Sequence, residues 1–357
     1  MSDVLFHTRG RAAHITLNRP RALNSLTHQM VLRIDGALTE WERDPAVETV
    51  VISGAGERGL CAGGDIRAIH DDARDGDGDG TASAAFWRDE YRLNARIARY
   101  PKPYVALMDG LVMGGGVGVS AHGSVRVVTE RSDIAMPETG IGFVPDVGGT
   151  HLLALAPGEL GTHLALTGAR IGAADALLCG LADHYVPSAS LRPLVDDLAR
   201  LPVHEALARH VQAPLPGELT EQREWIDDCY RADTVEEILR RLLARGRPAA
   251  AEAAETLLAR SPTALKVTLA ALRRVRRLGP LERVLDQEYR VSCACLRHPD
   301  LVEGIRARIV DKDHEPRWSP ATLAEVAEAD VEGFFAPLGE RELGLADRSR
   351  TTEEVPW

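Results

Sequence analysis

The stretch YVALMDGLVMGGGVGVS, Tyr104 to Ser120, decides the fold. It begins with apolar residues at the density of a buried strand and passes through an Asp-Gly pair into a run of glycines. A strand that leads into a Gly-rich helix start leaves backbone N–H groups free at the positive end of the helix dipole. The surrounding chain alternates short strands and helices, and this alternation predicts an α/β protein.

The glycine run does not match either common phosphate-binding motif. It lacks the Gly-Lys-Ser/Thr ending of a P-loop, and the spacing of its glycines is wrong for a dinucleotide fingerprint. A second Gly-rich segment, GLCAGGDI from Gly59 to Ile66, follows another predicted strand. Alone it predicts only a strand-to-helix turn, but two such loops that each give one N–H would form an oxyanion hole.

The predicted elements divide the chain into two regions. Val4 to Leu17 predicts a hairpin, and Asn24 or Ser25 is expected to cap the helix that follows it. Towards the C-terminus the residues are mainly Ala, Arg, Glu and Leu, with the periodicity of amphipathic helices. We therefore predict an α/β core over residues 1–215 and a helical C-terminal region over residues 216–357.

The bulk composition excludes several kinds of partner. A net charge of -11 over 357 residues argues against a broad nucleic-acid surface or an anionic membrane surface. The N-terminus shows no signal peptide, and no window reaches the length of an apolar membrane span, so we expect a cytoplasmic protein. The five cysteines have no metal-ligand or disulfide spacing and predict reduced thiols. An anionic small ligand would need a local cluster of cations or N–H groups.

An acidic segment, DDARDGDGDGTASAAF, comes close to a calcium-binding loop. Four positions of the loop pattern are matched: Asp75, Asp77, Asp79 and Gly80. The twelfth position should be a bidentate Glu but is Phe86, and the flanks do not predict a pair of EF-hand helices. We therefore expect no metal site and interpret Asp71 to Ala85 as a flexible acidic loop that could cover a nearby site.

Two carboxylates lie in the apolar, Gly-rich stretch AMPETGIGFVPDVGGT, Ala135 to Thr150. They are Glu138 and Asp146, and neither belongs to a solvated helix face. Asp146 follows Pro145 and could be the N-cap of the next helix. Alternatively, two acids that face two oxyanion loops could act as base, nucleophile or proton donor in acyl chemistry.

These motifs, in this order, resemble the crotonase (enoyl-CoA hydratase/isomerase) superfamily. The matching segments are LNRPRALNSL, CAGGDI, MGGGVGV, MPETGIGFVPDVGGT and LTGARIGAADALLCGLADHYV. The enoyl-CoA hydratases usually carry a catalytic Glu where this chain has Gly118, and a Gly where it has Asp146. That exchange resembles the 3-hydroxyisobutyryl-CoA hydrolases, as do the stretches around Glu90 and through the C-terminal helices. The resemblance implies a crotonase-type spiral of ββα units with an α-helical C-terminal region.

The resemblance also implies a reaction and its machinery. The backbone N–H groups of Gly64 and Gly115 would bind the oxyanion of an acyl-CoA thioester. Glu138 would attack the thioester carbonyl or activate water, and Asp146 would hold the 3-hydroxyl group or assist proton transfer. The expected reaction converts 3-hydroxyisobutyryl-CoA to 3-hydroxyisobutyrate and CoA in valine degradation. A hydratase or isomerase of the same fold is the alternative, and the acid pair argues against a non-catalytic acyl-CoA-binding protein.

Further substrate contacts are implied, with CoA as part of the substrate and no separate cofactor. The remaining expected substrate-binding residues are Glu90, Arg21, Ala22, Leu23, Asp65, Ile66, Gly118 and Lys312. For Glu90 a surface position on a helix is an equally good interpretation, and for Arg21 and Lys312 a plain surface role is as well supported as a phosphate contact. The superfamily often forms trimers, but a monomer whose helical region folds back on its own core is also open.

Overall fold

The computed structural model describes residues 2–74 and 80–346. Within these residues the chain forms two compact units, each built from separate segments. Unit 1 contains Met1–Asp65, Leu93–Ala135 and Arg170–Thr220, and unit 2 contains Ile66–Arg92, Met136–Ala169 and Glu221–Trp357, as far as they are described. The units thus interleave along the chain, whereas the predicted regions 1–215 and 216–357 are consecutive.

The strands all lie in unit 1. In chain order they are β1 (Val4–Arg9), β2 (Ala12–Leu17), β3 (Thr49–Gly54), β4 (Gly59–Cys61), β5 (Tyr104–Met108), β6 (Leu111–Met113), β7 (Val125–Val128), β8 (Asp133–Ala135) and β9 (His184–Tyr185). One sheet has the order β1-β2-β3-β5-β7-β9 and a smaller sheet has the order β4-β6-β8. Three successive strand pairs each place their first strand in the large sheet and their second in the small sheet. All pairings except β1 with β2 are parallel, so the predicted α/β class built from ββα repeats is confirmed.

The helices continue this pattern and fill the C-terminal part of the chain. They are α1 (His28–Arg43), α2 (Ile66–Arg74), α3 (Thr81–Ala98), α4 (Gly115–Gly118), α5 (Gly149–Ala154), α6 (Leu160–Thr167), α7 (Ala173–Leu178), α8 (Leu191–Leu198), α9 (Val203–Ala208), α10 (Leu219–Tyr230), α11 (Val235–Ala244), α12 (Pro248–Leu258), α13 (Pro262–Leu278), α14 (Leu281–Cys295), α15 (Pro299–Ile305) and α16 (Glu328–Gly333). Short 3-10 turns include Pro20–Ala22 and Glu138–Ile141, and a π-turn follows α15 at Arg306–Val310.

The predicted hairpin is confirmed, but the predicted helix cap is wrong. Strands β1 and β2 pair antiparallel across a turn at Gly10, which has a positive φ of 57°. The cap of α1 is Thr27, whose side chain accepts the N–H of Met30. Asn24 instead has left-handed backbone, accepts the N–H of Arg19 at 3.0 Å, and donates to two backbone carbonyls. It closes its own loop because its amide can donate and accept at once.

The predicted helical character of the C-terminal region is confirmed by helices α10 to α16. Helix α13 begins in the way its sequence indicates, with Ser261 accepting the N–H of Ala264 and Pro262 in the first turn. Helix α14 buries one face that contains Leu281, Val284 and Leu285. The same face also carries buried polar residues, which form hydrogen bonds near the buried acids of unit 2.

Candidate active site

Glu138 and Asp146 lie on the loop between β8 and α5, and both are buried. Glu138 starts the turn Glu138–Ile141, and its carbonyl accepts the N–H of Phe143 at 3.1 Å. The turn ends at Gly142, where φ is 69° and an added Cβ would lie 2.3 Å from the carbonyl oxygen of Asp300. Only glycine fits that close approach, so the backbone around Glu138 is held in one conformation.

Helix α5 is capped from a distant part of the chain. Its N-cap is Gly148, which has no side chain to offer. The Glu288 carboxyl group from α14 accepts the N–H of Gly148 at 2.6 Å, the N–H of Thr150 at 3.0 Å and the hydroxyl of Thr150 at 2.5 Å. The side-chain N-cap interpretation of Asp146 is therefore wrong, because Glu288 satisfies the first turn of this helix.

The Asp146 side chain is free of capping and accepts a hydrogen bond from a tyrosine. The hydroxyl of Tyr91, on α3, donates to Asp146 Oδ2 at 2.7 Å. The same hydroxyl lies 2.7 Å from Ser292 Oγ, on α14. All three side chains are buried. The Asp146 carboxyl group is thus fixed by a chain of two hydroxyl groups that comes from two helices.

Glu90 lies next to Tyr91 on α3 and belongs to the same group of acids. It is buried, so the surface interpretation of this residue is wrong. Glu90 Oε1 and Glu138 Oε2 have no hydrogen-bond partner among the residues that the structure describes. A buried polar atom without a partner costs about 1–3 kcal/mol of stability. We therefore expect a bound substrate or a water molecule to form a hydrogen bond with each of these two oxygen atoms.

Burial shifts the titration of these acids towards the protonated form. It is the main cause that raises the pKa of Glu138 well above its usual range, and the Asp146 charge adds to it. Burial also raises the pKa of Asp146 to about 7, against the hydrogen bond from Tyr91, which lowers it. Burial raises the pKa of Glu288 to about 8, and burial and the Asp146 charge raise that of Glu90. Burial therefore favours the protonated form of these four acids over the charged form.

The two predicted oxyanion loops lie together within unit 1. The carbonyl of Gly63 accepts the N–H of Leu26, and the carbonyl of Leu26 accepts the N–H of Asp65, so the N–H of Gly64 lies outside this bridge. A Cβ on Gly63 would lie 3.5 Å from the Met113 carbonyl oxygen and 3.9 Å from the nitrogen of Gly115. The backbones of the two loops are therefore neighbours.

Two features prepare the second loop for this arrangement. Gly115 is the first residue of α4, so its N–H has no acceptor inside the helix. An added Cβ on Gly116 would lie 2.4 Å from the carbonyl oxygen of Cys61, so only glycine allows the two loops to approach. Gly118 ends the same helical turn and donates its N–H to the carbonyl of Gly114 at 3.2 Å. Glycine has no side chain at this position, where the resemblance implies that the hydratases carry an acid.

The remaining predicted contact residues lie on turns and helix starts. Asp65 pairs with Arg19 at 3.0 Å, and Ile66 is the first residue of α2. Arg21 and Ala22 are exposed in the 3-10 turn Pro20–Ala22, which is followed by Leu23 with a φ of 52°. Lys312 is exposed and also has a positive φ. The structure places Glu90, Glu138 and Asp146 together in unit 2 and Gly64 and Gly115 together in unit 1.

The structure bears on the other predictions only within its described ranges. In residues 2–74 and 80–346 no group of three or more His, Cys, Asp or Glu side chains is arranged to hold a metal ion. Within the predicted acidic loop Asp71 to Ala85, residues 71–74 belong to α2 and residues 81–85 belong to α3, so the prediction of a loop is wrong at these positions. Asp75, Asp77 and Asp79 lie outside the described residues. The five cysteines are buried, and none of them forms a disulfide within the part of the chain that is described. Over the same ranges, no helix combines the length and apolar character that crossing a membrane requires.

Sequence reasoning missed Tyr91, Glu288 and Ser292. Their partners are 55, 140 and 201 residues away along the chain. One signal was nevertheless present, because Glu288 and Ser292 continue the apolar stripe of α14 at helical spacing. A charged residue at a core position of an amphipathic helix indicates a buried partner.

Comparisons with known proteins agree on the family and differ on the reaction. A family model for enoyl-CoA hydratase/isomerase matches residues 12–335. Proteins named 3-hydroxyisobutyryl-CoA hydrolase, mitochondrial, are similar: that of Danio rerio is 45% identical over 96% of this chain and 92% of its own, and that of Homo sapiens is 42% identical over 96% and 90%. These mitochondrial names do not support the expected cytoplasmic location.

Two crystal structures are also similar over nearly the whole chain. One is a carnitinyl-CoA dehydratase from Mycobacterium thermoresistibile, with a TM-score of 0.93 and 56% identity over 96% of this chain and 98% of the other. The second is an enoyl-CoA hydratase from Rhodobacter sphaeroides, with a TM-score of 0.90 and 46% identity over 96% and 99%. The order of strands, the paired Gly-rich loops and these similarities lead to one conclusion: the chain belongs to the enoyl-CoA hydratase/isomerase family.

Proposed function

We propose that this protein is an acyl-CoA thioester hydrolase that converts 3-hydroxyisobutyryl-CoA to 3-hydroxyisobutyrate and CoA, a step of valine breakdown. The observation that carries the proposal is the buried pair Glu138 and Asp146, with Gly118 where a hydratase has its second acid. Similar proteins that bear the hydrolase name support it over nearly the whole chain.

The chemistry needs one activated attacking group and one oxyanion site. In one route Glu138 attacks the thioester carbonyl, the C–S bond breaks, the CoA thiolate takes up a proton, and water cleaves the resulting anhydride. In the other route Glu138 removes a proton from water, which attacks the carbonyl directly. Both routes consume one water molecule and release a carboxylic acid and the CoA thiol. Water is the only co-reactant, so we propose no cofactor.

The oxyanion would be stabilised by the N–H groups of Gly64 and Gly115. Loss of one such donor typically lowers kcat by about 10²–10³-fold, because the donor is aimed at charge that develops only in the transition state. Neither N–H is used in the helix or bridge hydrogen bonds of its own loop. This is the property that a preorganised donor requires.

Asp146 is suited to the 3-hydroxyl end of the substrate. A carboxyl group whose pKa is raised to about 7 is present in both protonation states at neutral pH. It can therefore accept a hydrogen bond from the hydroxyl group or pass a proton during the reaction. Glu138 must be ionised in either route, and its pKa is raised by burial. We accordingly propose that the rate increases with pH as Glu138 loses its proton.

The CoA part of the substrate would contact residues on turns and helix starts. We propose that the turn with Arg21, Ala22 and Leu23 lines the adenosine diphosphate part and that Lys312 meets a phosphate. Asp65, Ile66, Gly118 and Glu90 are proposed as further substrate contacts: the first two near the oxyanion loop, and Glu90 through its unpaired Oε1. The trimer or monomer and the cellular compartment stay predictions.

A dehydratase is the second candidate, because the similar structure at 56% identity is a carnitinyl-CoA dehydratase. Dehydration of a 3-hydroxyacyl-CoA needs a base for the α-proton and an acid for the departing hydroxyl group. Glu138 and Asp146 could fill those two roles as well. The two candidates therefore share a substrate class and differ in the bond that breaks, C–S or C–O.

One experiment separates them. The purified protein is incubated with 3-hydroxyisobutyryl-CoA while released thiol is measured. Carnitinyl-CoA and crotonyl-CoA are run in parallel, and the enoyl absorbance is followed. Thiol release from the first substrate without a change in enoyl absorbance is expected. Gain or loss of enoyl absorbance without thiol release would show that the protein is not a hydrolase.

The role of Glu138 has its own test. Glu138→Gln removes the base or nucleophile but keeps the shape of the side chain, so turnover should fall by at least about 10²–10⁴-fold. CoA binding, measured by calorimetry, should stay within a few-fold. Glu252→Gln, at an exposed position of α12, is the matched control and should keep its full rate. If the Glu138 variant keeps most of its rate, this residue is not the catalytic base or nucleophile.

A further inference from the structure

The hydrogen bonds around Asp146 have a defined direction. The Tyr91 hydroxyl carries a single proton, and the short contact of 2.7 Å to Asp146 Oδ2 uses it. Its oxygen must therefore accept in the contact of 2.7 Å with Ser292 Oγ. The order is Ser292 to Tyr91 to Asp146, with each hydroxyl donating to the next group.

We propose that Tyr91 and Ser292 are positioning residues for Asp146: Ser292 fixes the hydroxyl of Tyr91, and Tyr91 fixes the orientation and protonation of the Asp146 carboxyl group. This inference rests on the proposed function, because it assigns Asp146 to the reacting substrate. A hydrogen bond from a buried hydroxyl to a carboxylate restricts rotation of the carboxylate and favours its charged form.

The other groups that face Asp146 act in the opposite direction. Those that interact with it electrostatically are Glu90 on α3, Glu138 on its own loop, and Glu288 and Cys295 on α14. All of them are acids, and an acid that loses its proton here opposes ionisation of Asp146. The hydrogen bond from the Tyr91 hydroxyl and a backbone hydrogen bond at Asp146 itself favour the charged form and lower the pKa of Asp146. Removal of the Tyr91 hydroxyl should therefore change the pKa of Asp146 more than removal of any other side-chain partner named here.

Helix α14 supports the loop at two points that lie one turn apart. Glu288 binds the backbone at Gly148 and Thr150, and Ser292 binds Tyr91. Residues at this spacing lie on the same face of a helix. Helix α14 thus holds the backbone of the Asp146 loop directly and the Asp146 side chain through Tyr91 of α3, which suits a group that must keep its orientation during catalysis.

The test uses Tyr91→Phe and Ser292→Ala, with Tyr104→Phe as the matched control. Tyr104 is also fully buried, and its hydroxyl donates to the Val119 carbonyl at 3.0 Å in unit 1. Each variant loses one buried hydroxyl, so a general effect of that loss on folding appears equally in the control. Thermal unfolding is measured for all variants to compare their stability.

The first readout is independent of activity. The pKa of Asp146 is measured by carboxyl-carbon NMR of the free, full-length protein, and Tyr91→Phe should raise it by about one unit, because a favourable partner of the charged form is lost. Ser292→Ala should raise it less. The double variant should match Tyr91→Phe alone, since Ser292 acts through Tyr91. Tyr104→Phe should leave it unchanged.

The second readout is kinetic. With whichever of the three CoA substrates the wild-type protein turns over, Tyr91→Phe should lower kcat by about 10-fold or more while KM stays within about threefold. An unchanged Asp146 pKa in Tyr91→Phe, or an equal change in Tyr104→Phe, would overturn the proposal. Full additivity of the two substitutions would overturn the role of Ser292. Failure of the wild type to hydrolyse 3-hydroxyisobutyryl-CoA is a separate result that overturns the proposed function and leaves the NMR test in force.

Discussion

Replacing Glu288 by alanine should destabilise the loop that carries Asp146. Glu288 is buried on α14, and its carboxyl group accepts from the N–H of Gly148 and from both the N–H and the hydroxyl of Thr150. Alanine removes all three acceptors at once. Water does not readily reach these donors, because Gly148 and Thr150 are buried as well.

The expected cost follows from the number of donors left without a partner. A neutral hydrogen bond contributes about 1 kcal/mol, and an unsatisfied buried donor costs about 1–3 kcal/mol. About 1 kcal/mol for each donor is the lower end of this range, because hydrogen bonds to a charged group contribute more. Three donors then give a loss of about 3 kcal/mol in the free energy of unfolding, to which the cavity adds.

The assay is urea unfolding at neutral pH, followed by circular dichroism, together with the thermal midpoint. A loss of about 3 kcal/mol should lower Tm by about 5 °C or more. Glu252→Ala, on the exposed face of α12, is the control and should change the stability by less than about 0.5 kcal/mol. If Glu288→Ala is as stable as Glu252→Ala, the cap does not contribute to stability and the reasoning fails.

Two further predictions concern pH and the glycine loops. The folded pKa of Glu288 is raised to about 8 from 4.5, so its contribution is present at low pH and lost as pH rises through about 8. The buried His14 and His163, with pKa values lowered to about 4 from 6.5, act in the opposite sense only below about pH 6.5. Urea midpoints from about pH 6.5 to about pH 8.5 should therefore fall in the wild type and fall less in Glu288→Gln, and equal slopes would refute this assignment. Gly116→Ala should lower kcat by about 10²-fold or more, because its Cβ would lie 2.4 Å from the Cys61 carbonyl oxygen and would separate the two proposed oxyanion loops. Gly36→Ala, where the space around the Cβ is open, is the control. A Gly116→Ala variant that keeps its activity would contradict the proposed role of these loops.

The sequence predicted well what depends on neighbouring residues. The hairpin β1–β2, the strand of Tyr104–Met108 and the helical C-terminal region follow from short-range patterns of apolar residues and turns. Asn24 shows the limit of such reasoning. As a favoured capping residue it predicted a helix start, but its backbone is left-handed and its amide closes a loop three residues earlier than the observed cap, Thr27.

Contacts between distant residues could not be predicted in the same way. Periodicity identified α14 as an amphipathic helix but did not say which surface it packs against. Glu288 therefore had no visible partner, and Asp146 could be either the N-cap of α5, because Asp is a favoured N-cap residue, or a catalytic acid. In the structure Glu288, which is distant in sequence, caps the helix, and Asp146 instead accepts a hydrogen bond from Tyr91. Burial of Glu90 could not be predicted either, because an acid in a helix that mixes polar and apolar residues can lie on the buried or on the exposed face.

In the proposed function, the position of the second acid links the structure to the reaction. The resemblance implies that a hydratase has this acid at the position of Gly118, on the same short helix as Gly115, the proposed oxyanion donor. We propose that Asp146 takes its place in this chain, on the loop that also carries Glu138, where it lacks the support of a helix. Tyr91 and Ser292 supply that support through short hydrogen bonds. Moving the acid to Asp146 without this support would leave a buried carboxyl group with a raised pKa and free rotation. The exchange of Gly118 and Asp146 therefore has to be accompanied by residues on α3 and α14, and a chain that carries the exchange without a hydroxyl at position 91 should lack an oriented second acid.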